Sequence, residues 1–146
     1  MIYKTQREMS TYCMLFALYN AGVYALEFSG KVLPFAYWDL YRMLDEYLPE
    51  CETGPMIHKQ ECIDKYKLPL VKAADAEEVV KYGGVLSILH PIWNGHAMFV
   101  QPADEKGYLW AINSFLGAER MMVNVSELRR FFPPHNNLHN YRLKLD

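Results

Sequence analysis

The chain has 146 residues, of which 51% are hydrophobic and 22% are charged. This length supports one sizeable core and is too short for two ordinary domains, so residues 1–146 are expected to form a single domain. The formal net charge is −2 at pH 7 and no block of like charge interrupts the chain, which argues against nucleic acid or a membrane surface as a partner.

The cysteines and the apolar segments indicate the compartment. There are three cysteines, an odd number without a Cys-x-x-Cys spacing, so a reducing, cytoplasmic setting is expected rather than a disulfide framework. Residues 1–10 are polar and lack the apolar stretch of a signal peptide. Residues 13–28 are strongly apolar, but Asn20 and Glu27 interrupt them and the run is too short to span a bilayer.

The first half of the chain is predicted to be helical. The apolar residues of the first helix cover almost every face, which places this helix at the centre of the fold. The second is expected to end at a proline, which cannot donate the hydrogen bond of a continuing helix. The predicted helices run from Ser10 or Thr11 to about Glu27, from Pro34 to Pro49, and from Met56 to Tyr66.

The second half changes to short apolar runs separated by turn residues, which predict a sheet. Together with the helices before it, this sheet makes the expected fold class α+β with antiparallel strands. The predicted elements are a strand at Leu68 to Val71, a helix at Ala76 to Tyr82 capped by Asp75, a strand at Val85 to Leu89, a hairpin of His96 to Gln101 and Gly107 to Asn113, a strand at Arg120 to Val125, a short helix capped by Ser126 and ended by Pro133 and Pro134, and a last strand near Leu138 to Leu145.

Four side chains in this arrangement are typical of acyl transfer by a thiol. Cys13 stands at the start of the apolar helix, His96 opens one strand of the hairpin, Asn113 closes the next, and Gln6 lies upstream. A thiolate attacks, an imidazole moves protons, an amide oxygen orients the imidazole, and a glutamine amide helps to hold the oxyanion.

Elementary chemistry supports each role. The unpaired amides and positive dipole end of a helix N-terminus favour thiolate over thiol, so a lowered pKa is expected for Cys13. The amide oxygen of Asn113 can accept from one ring nitrogen of His96 and leave the other facing the sulfur. The backbone N–H of Cys13 and the side chain of Gln6 would donate to an oxyanion, and each such donor typically lowers the barrier by roughly 3 kcal/mol.

Each residue also has an ordinary structural interpretation. A cysteine in an apolar helix is usually a small buried hydrophobe, and a strand histidine usually packs in the core. Asn113, followed by Ser114 and later by Gly117, is also typical of a simple turn. The joint order of nucleophile, histidine and asparagine favours catalysis.

These residues resemble the papain-like cysteine peptidases. The order Gln, Cys, His, Asn matches that family, the segment 111–117 is similar to its asparagine-serine-tryptophan-glycine strand end, and residues 95–97 are similar to its histidine strand. Residues 76–87 resemble the compact peptidase domains of bacteriocin exporters.

The resemblance implies a papain-like α+β fold with the nucleophile on a central helix and a C-terminal antiparallel sheet. It makes Cys13 the nucleophile, His96 the general base and acid, Asn113 the orienting residue and Gln6 the oxyanion donor. The implied activity is hydrolysis of a peptide or isopeptide bond in a peptide or protein substrate, without a cofactor. Transglutaminase-like transfer, deamidation and a catalytically silent binding or structural module remain alternatives.

Other groupings of polar side chains carry weaker signals. Cys51, His58 and Cys62 could share a helical face with zinc, but the first spacing is wide and a fourth ligand is lacking, so no metal is expected. Trp93, close to Gly95 and His96, is a candidate for the rim of a substrate cleft. The oligomeric state is left open.

Overall fold

The computed structural model describes residues 12–90, 94–112, 120–133 and 139–145. Within them the helices precede most of the strands, and all strand pairs are antiparallel. The predicted α+β class is therefore confirmed. The helices are α1 (Cys13–Phe28), α2 (Tyr37–Glu52), α3 (Lys59–Tyr66), α4 (Ala76–Tyr82), α5 (Val125–Leu128) and a 3-10 turn at Arg129–Phe131; the strands are β1 (Leu70–Lys72), β2 (Gly84–His90), β3 (Asn94–Val100), β4 (Tyr108–Ile112), β5 (Arg120–Asn124) and β6 (Tyr141–Leu143).

The sheet has six strands in the order β1, β6, β2, β3, β4, β5. Its centre is the long hairpin of β2 and β3, which pairs without a bulge from Gly84 opposite Val100 to His90 opposite Asn94. The C-terminal strand β6 inserts between β1 and β2 and pairs with both. Segments that are far apart in sequence therefore meet at one edge of the sheet.

Two hydrophobic cores lie on the two faces of this sheet. One core joins α1, α2 and α3 to alternate strand residues, among them Val85, Ala97 and Phe99. The ring of Tyr24 in α1 lies 5.3 Å from that of Phe99, which fixes the face that α1 covers. The other core joins α4 and α5 to the residues in between, including Leu86, Ile88, Met98 and Val100. As predicted, α1 is central, since most of its residues are buried.

The close approach of α1 and α2 depends on a glycine. A Cβ atom at Gly22 would lie 2.7 Å from Cδ2 of Leu40 in α2. Glycine lowers helix propensity by roughly 1 kcal/mol relative to alanine, but here it makes room for a fully buried leucine. Gly22, which lowers the helix propensity of α1, is thus the residue at which α1 contacts α2.

Three predicted boundaries of the second and third helices are wrong. The second helix starts at Tyr37 instead of Pro34 and continues through Pro49 to Glu52, because Cys51 in its last turn is fully buried and anchors that turn in the core. The third starts at Lys59 instead of Met56. The backbone N–H groups of Ile57 and His58 donate to the carboxylate of Glu50, at 2.7 Å and 3.0 Å, and this keeps them out of the helix.

Of the predicted N-caps of the two short helices α4 and α5, one is confirmed and the other is wrong. The predicted helix α4 is confirmed with its cap, since the side chain of Asp75 accepts a hydrogen bond from the N–H of Glu78 at 2.8 Å. For α5 the predicted cap Ser126 is wrong. Asn124 takes that role by accepting from the N–H of Ser126 at 2.8 Å, so the helix starts one residue earlier than the serine. Among the described residues, none of the helices is long and apolar enough to cross a lipid bilayer.

Candidate functional site

The structure describes two of the five residues that the sequence singles out. Cys13 is the first residue of α1, and His96 is the third residue of β3. Gln6, Asn113 and Trp93 lie outside the described residues. The geometry of the candidate site is therefore built from the start of α1 and the start of β3.

The sulfur of Cys13 is held by backbone amides. The first N–H groups of a helix have no partner within the helix, and Tyr12 at the N-cap offers no side-chain acceptor. The backbone groups of Cys13 and Met14 hydrogen-bond to the Cys13 thiol, as does that of Ala97 in β3, and each lowers the thiol pKa. Only a donated hydrogen bond has that effect on an acid, so these contacts come from N–H groups.

The contact with Ala97 locates the sulfur relative to the sheet. The N–H of Gln101 donates to the carbonyl of Trp110 at 2.9 Å, toward β4. Because N–H groups alternate in direction along a strand, the N–H of Ala97 points to the same side. The Cys13 sulfur thus lies beside β3 on the flank that β4 shares, beyond the last described pair of Phe99 with Ile112. Sequence reasoning missed the contribution of Ala97, which acts through its backbone N–H.

The predicted lowering of the Cys13 pKa is wrong. Burial raises the pKa of this thiol, and the three N–H groups of Ala97, Met14 and Cys13 offset the rise only in part. The side chain is half-buried, and removal from water penalises the thiolate. At neutral pH the resting form of Cys13 is therefore the thiol.

His96 is buried, with 2% of its surface exposed, and stands opposite Ile88 of β2. Side chains alternate across a strand. Ala97 and Phe99 belong to the core on the α1 face, whereas Met98 belongs to the core on the opposite face, and His96 shares the alternation of Met98. The imidazole of His96 thus projects from β3 on the face away from α1. To contact the Cys13 sulfur, the ring has to reach it past the edge of β3 and not across the face that α1 covers.

The other two cysteines are placed differently. Cys51 and Cys62 are both fully buried, and none of the three cysteines forms a disulfide bond. Burial is the main cause that raises the pKa of Cys51 to about 11 and that of Cys62 to about 12. Both are inert core residues by this criterion, and Cys13 is the accessible thiol of the three.

The zinc alternative finds no support in the described part of the chain. His58 binds Glu50 instead, with Nδ1 2.5 Å from Oε1, and this contact raises the histidine pKa. Among the described residues, no three side chains of histidine, cysteine, aspartate or glutamate are grouped so that they could hold a metal ion.

Comparisons of the chain with models of protein families, with curated proteins and with solved structures found no match. The papain-like resemblance therefore rests on the residues of this chain alone.

Proposed function

We propose that the protein is an enzyme that transfers acyl groups through a thioester on Cys13, most simply a papain-like cysteine peptidase or isopeptidase. One observation carries the proposal: three backbone N–H groups, of Cys13, Met14 and Ala97, converge on the sulfur at the start of a buried helix. Donors fixed in this way stabilise negative charge on the attacking atom without reorganising during the reaction.

The raised pKa of Cys13 makes a general base necessary. In the proposed reaction His96 takes the thiol proton as the sulfur attacks the carbonyl carbon of the substrate. The tetrahedral oxyanion is held by the Cys13 N–H and by the side chain of Gln6. Its collapse leaves a thioester and releases the amine, which receives the proton from His96. Water then attacks the thioester with His96 as base. Collapse releases the acyl group as a carboxylic acid, and the leaving thiolate takes the proton back from His96, which regenerates the thiol.

The remaining residues of the proposal have supporting roles. Asn113 follows the end of β4 directly in the chain, and its amide oxygen would hold the imidazole in the tautomer that presents a basic nitrogen to the sulfur. Trp93 would form a rim of the cleft. A cytoplasmic location suits this chemistry, since a reducing compartment keeps the Cys13 thiol from oxidation.

Two observations favour a second candidate, a papain-like module that binds a partner without catalysis. The alternation of β3 directs His96 away from the face that α1 covers, and burial raises the pKa of the Cys13 thiol. In this candidate Cys13 caps the helix through its sulfur and His96 packs in the core.

Labelling with an electrophilic peptide separates the two candidates. The probe is a fluorescent peptidyl chloromethyl ketone, and the labelled residue is located by mass spectrometry after proteolysis. If the protein is an enzyme, a stoichiometric adduct should form on Cys13 at least ten times faster than with chloroacetone, which carries the same chloromethyl ketone without a peptide, because the bound peptide aligns the electrophile.

Two variants control this labelling. Cys13→Ser should take no label, and Cys62→Ser should label like the native protein, since Cys62 is fully buried. Equal rates for the peptide reagent and for chloroacetone, in a protein that remains folded by circular dichroism, would support the silent module.

A further inference from the structure

A cavity of about 400 Å³ lies between α2 and the C-terminal end of α3. Three basic side chains line this α2–α3 cavity, Arg42, Lys65 and Lys67, together with two acidic ones, Asp39 and Glu46. Three positive and two negative groups leave the lining with a formal charge of +1 at neutral pH. The volume falls within the range of small-molecule sites, roughly 300 to 1,000 Å³.

Both carboxylate oxygens of Glu46 already accept hydrogen bonds from α3. Oε2 accepts from Nζ of Lys65 at 2.6 Å, and Oε1 accepts from the hydroxyl of Tyr66 at 2.5 Å. These two bonds join α2 to α3 and fix the two walls of the cavity relative to each other. The carboxylate of Glu46 is thus a structural part of the wall.

Both oxygens of Asp39 accept hydrogen bonds as well. Oδ2 accepts from the N–H of Ala36 at 2.8 Å, and Oδ1 accepts from Nη2 of Arg42. An arginine carries five N–H donors, and this contact uses one of its three nitrogens. None of the ion pairs between described residues includes Lys67. The polar groups in surplus at the cavity are therefore donors, and a ligand with acceptor oxygens would complete them.

The backbone of Lys67 has a conformation that disfavours lysine. At the C-cap of α3 it has φ of +56° and ψ of +40°, and the other described residues with positive φ are glycines. Glycine is the usual residue at such a helix end, because a Cβ atom costs energy in this left-handed region. The strained position puts a long cationic side chain on the wall of the cavity, where glycine would put none. Strained residues of this kind cluster at ligand sites.

Two aromatic residues, Tyr66 and Phe35, also line the cavity. The ring of Tyr66 is fixed by the bond of its hydroxyl to Glu46 and by the ring of Tyr47, which meets it edge-on with centroids 6.4 Å apart. Phe35 is buried and belongs to the core that α1, α2 and α3 share. The aromatic part of the wall is thus formed before a ligand binds, which lowers the entropic cost of binding.

We propose that the α2–α3 cavity binds a small carboxylic acid with a flat aromatic body. The carboxylate accepts from Lys67 and Arg42, since one negative charge balances the surplus of +1 and a guanidinium matches both carboxylate oxygens. The aromatic body lies against Tyr66 and Phe35. A phosphate monoester carries about two negative charges, and the two acids of the wall would repel it.

This site is separate from the proposed catalytic residues, because neither Cys13 nor His96 lines the cavity. The inference therefore goes beyond the proposed function and does not depend on it. A ligand in the cavity contacts α2 and α3 at once, so its binding stabilises the folded arrangement of these two helices.

Ligands that share one ring system test the site. 2-Naphthoate supplies a carboxylate, 2-naphthamide is its neutral counterpart, 2-naphthyl phosphate supplies a dianion, and acetate is the head group alone. Each is titrated into the ¹⁵N-labelled protein, and dissociation constants are read from amide chemical shifts in NMR spectra. 2-Naphthoate should bind at least tenfold more tightly than each of the other three. The largest shifts should fall on amides of residues 35–46 and 65–67.

A variant of Lys67 tests the role of the strained cation. Lys67→Asn removes the charge and introduces a residue that adopts the left-handed conformation more readily. It should melt no lower than the native protein, so that a loss of binding is not a loss of fold, and it should bind 2-naphthoate no better than 2-naphthamide. Lys106→Asn is the matched control, because Lys106 is exposed in the turn between β3 and β4 and does not line the cavity. This control should bind 2-naphthoate like the native protein.

Four results would overturn the site. The first is a preference for 2-naphthoate that Lys67→Asn retains. Tighter binding of 2-naphthyl phosphate would indicate a phosphate site instead, and equal binding of acetate and 2-naphthoate would show that the aromatic wall takes no part. Shifts confined to other parts of the chain would place the ligand elsewhere.

Discussion

The thiol of Cys13 accepts a hydrogen bond from the backbone N–H of Ala97, and this contact joins the first residue of α1 to the strand that carries His96. The bond thus connects the N-terminal half of the chain, which is helical, to the C-terminal half, which contains most of the strands. It also explains why burial is the main influence on the pKa of this thiol, since a sulfur that lies between a helix end and a strand loses much of its contact with water.

The three cysteines should differ sharply in alkylation. Iodoacetamide should modify Cys13 first, because Cys51 and Cys62 are fully buried with pKa values raised to about 11 and about 12. As the Cys13 pKa is also raised, its thiolate fraction is small at pH 7 and grows with pH. The rate should therefore increase roughly tenfold per pH unit between pH 7 and 8.

Peptide mapping by mass spectrometry after timed quenching gives the rate at each cysteine. The sequence alone predicted a lowered pKa for Cys13, and the raised pKa moves the expected onset of rapid reaction to alkaline pH. A rate that is independent of pH above pH 6 would mean a resting thiolate, contrary to the effect of burial.

Replacing Cys13 should separate fold from function. Cys13→Ser keeps the shape of the side chain at a half-buried site, so the melting temperature should change by only a few degrees while peptide hydrolysis is lost. The matched variant is Cys62→Ser at a fully buried site. It should lose about 1 to 3 kcal/mol of stability, because the serine hydroxyl would be buried away from water. Thermal unfolding and hydrolysis are measured on both; turnover by Cys13→Ser would show that the nucleophile is another residue.

Asn113 stays a prediction of the sequence, as it lies outside the described residues. Asn113→Asp retains an oxygen that accepts from the imidazole and should keep part of the activity, whereas Asn113→Ala frees the ring and should lose more, by one to two further orders of magnitude. The comparison uses kcat/KM for one peptide at one pH. Equal values for native and alanine proteins would remove Asn113 from the site.

Local sequence signals sufficed for much of the fold. Asp75 before Ala76 is a helix start that needs no tertiary contact, and the structure confirms both the cap and the helix. Pro49 is the counterexample: a proline ordinarily ends a helix, but burial of Cys51 two residues later extends this one. Burial of that kind depends on partners elsewhere in the chain.

The chemistry of the site was harder to predict for the same reason. From local dipoles alone, the helix start at Cys13 predicted a lowered thiol pKa. The largest contribution to the pKa is instead burial next to β3, which raises it. That burial depends on how α1 packs on the sheet and cannot be seen in the local sequence. Likewise the pairing of β1 with β6 brings together two segments that are far apart in the chain. Each of these strands has three residues, too few for a hydrophobic pattern to set a register.

The junction of β2 and β6 should tolerate no side chain at Gly84. A Cβ there would lie 2.1 Å from the carbonyl oxygen of Tyr141, and the residue has φ of +144°. Gly84→Ala should therefore destabilise the fold by about 3 kcal/mol or more, from overpacking and backbone strain together.

Gly107→Ala is the control for backbone strain alone. Gly107 has φ of +84° with nothing within 4 Å of its added Cβ, so this variant should lose roughly 1 to 2 kcal/mol. Urea denaturation gives both values, and equal losses would mean that the contact with β6 does not limit position 84.

The most direct test of the proposed mechanism is the pH dependence of Cys13 acylation with and without the imidazole. The burst of p-nitrophenolate from p-nitrophenyl acetate is measured between pH 5 and 10 in the native and His96→Asn proteins, with Cys13→Ser as blank and circular dichroism as the check on folding. With His96 as general base, the native rate should rise through the neutral range where imidazole loses its proton. It should exceed that of His96→Asn by at least about a hundredfold at pH 7. Superimposable profiles that follow only the alkaline ionisation of the thiol would contradict the pairing of Cys13 with His96.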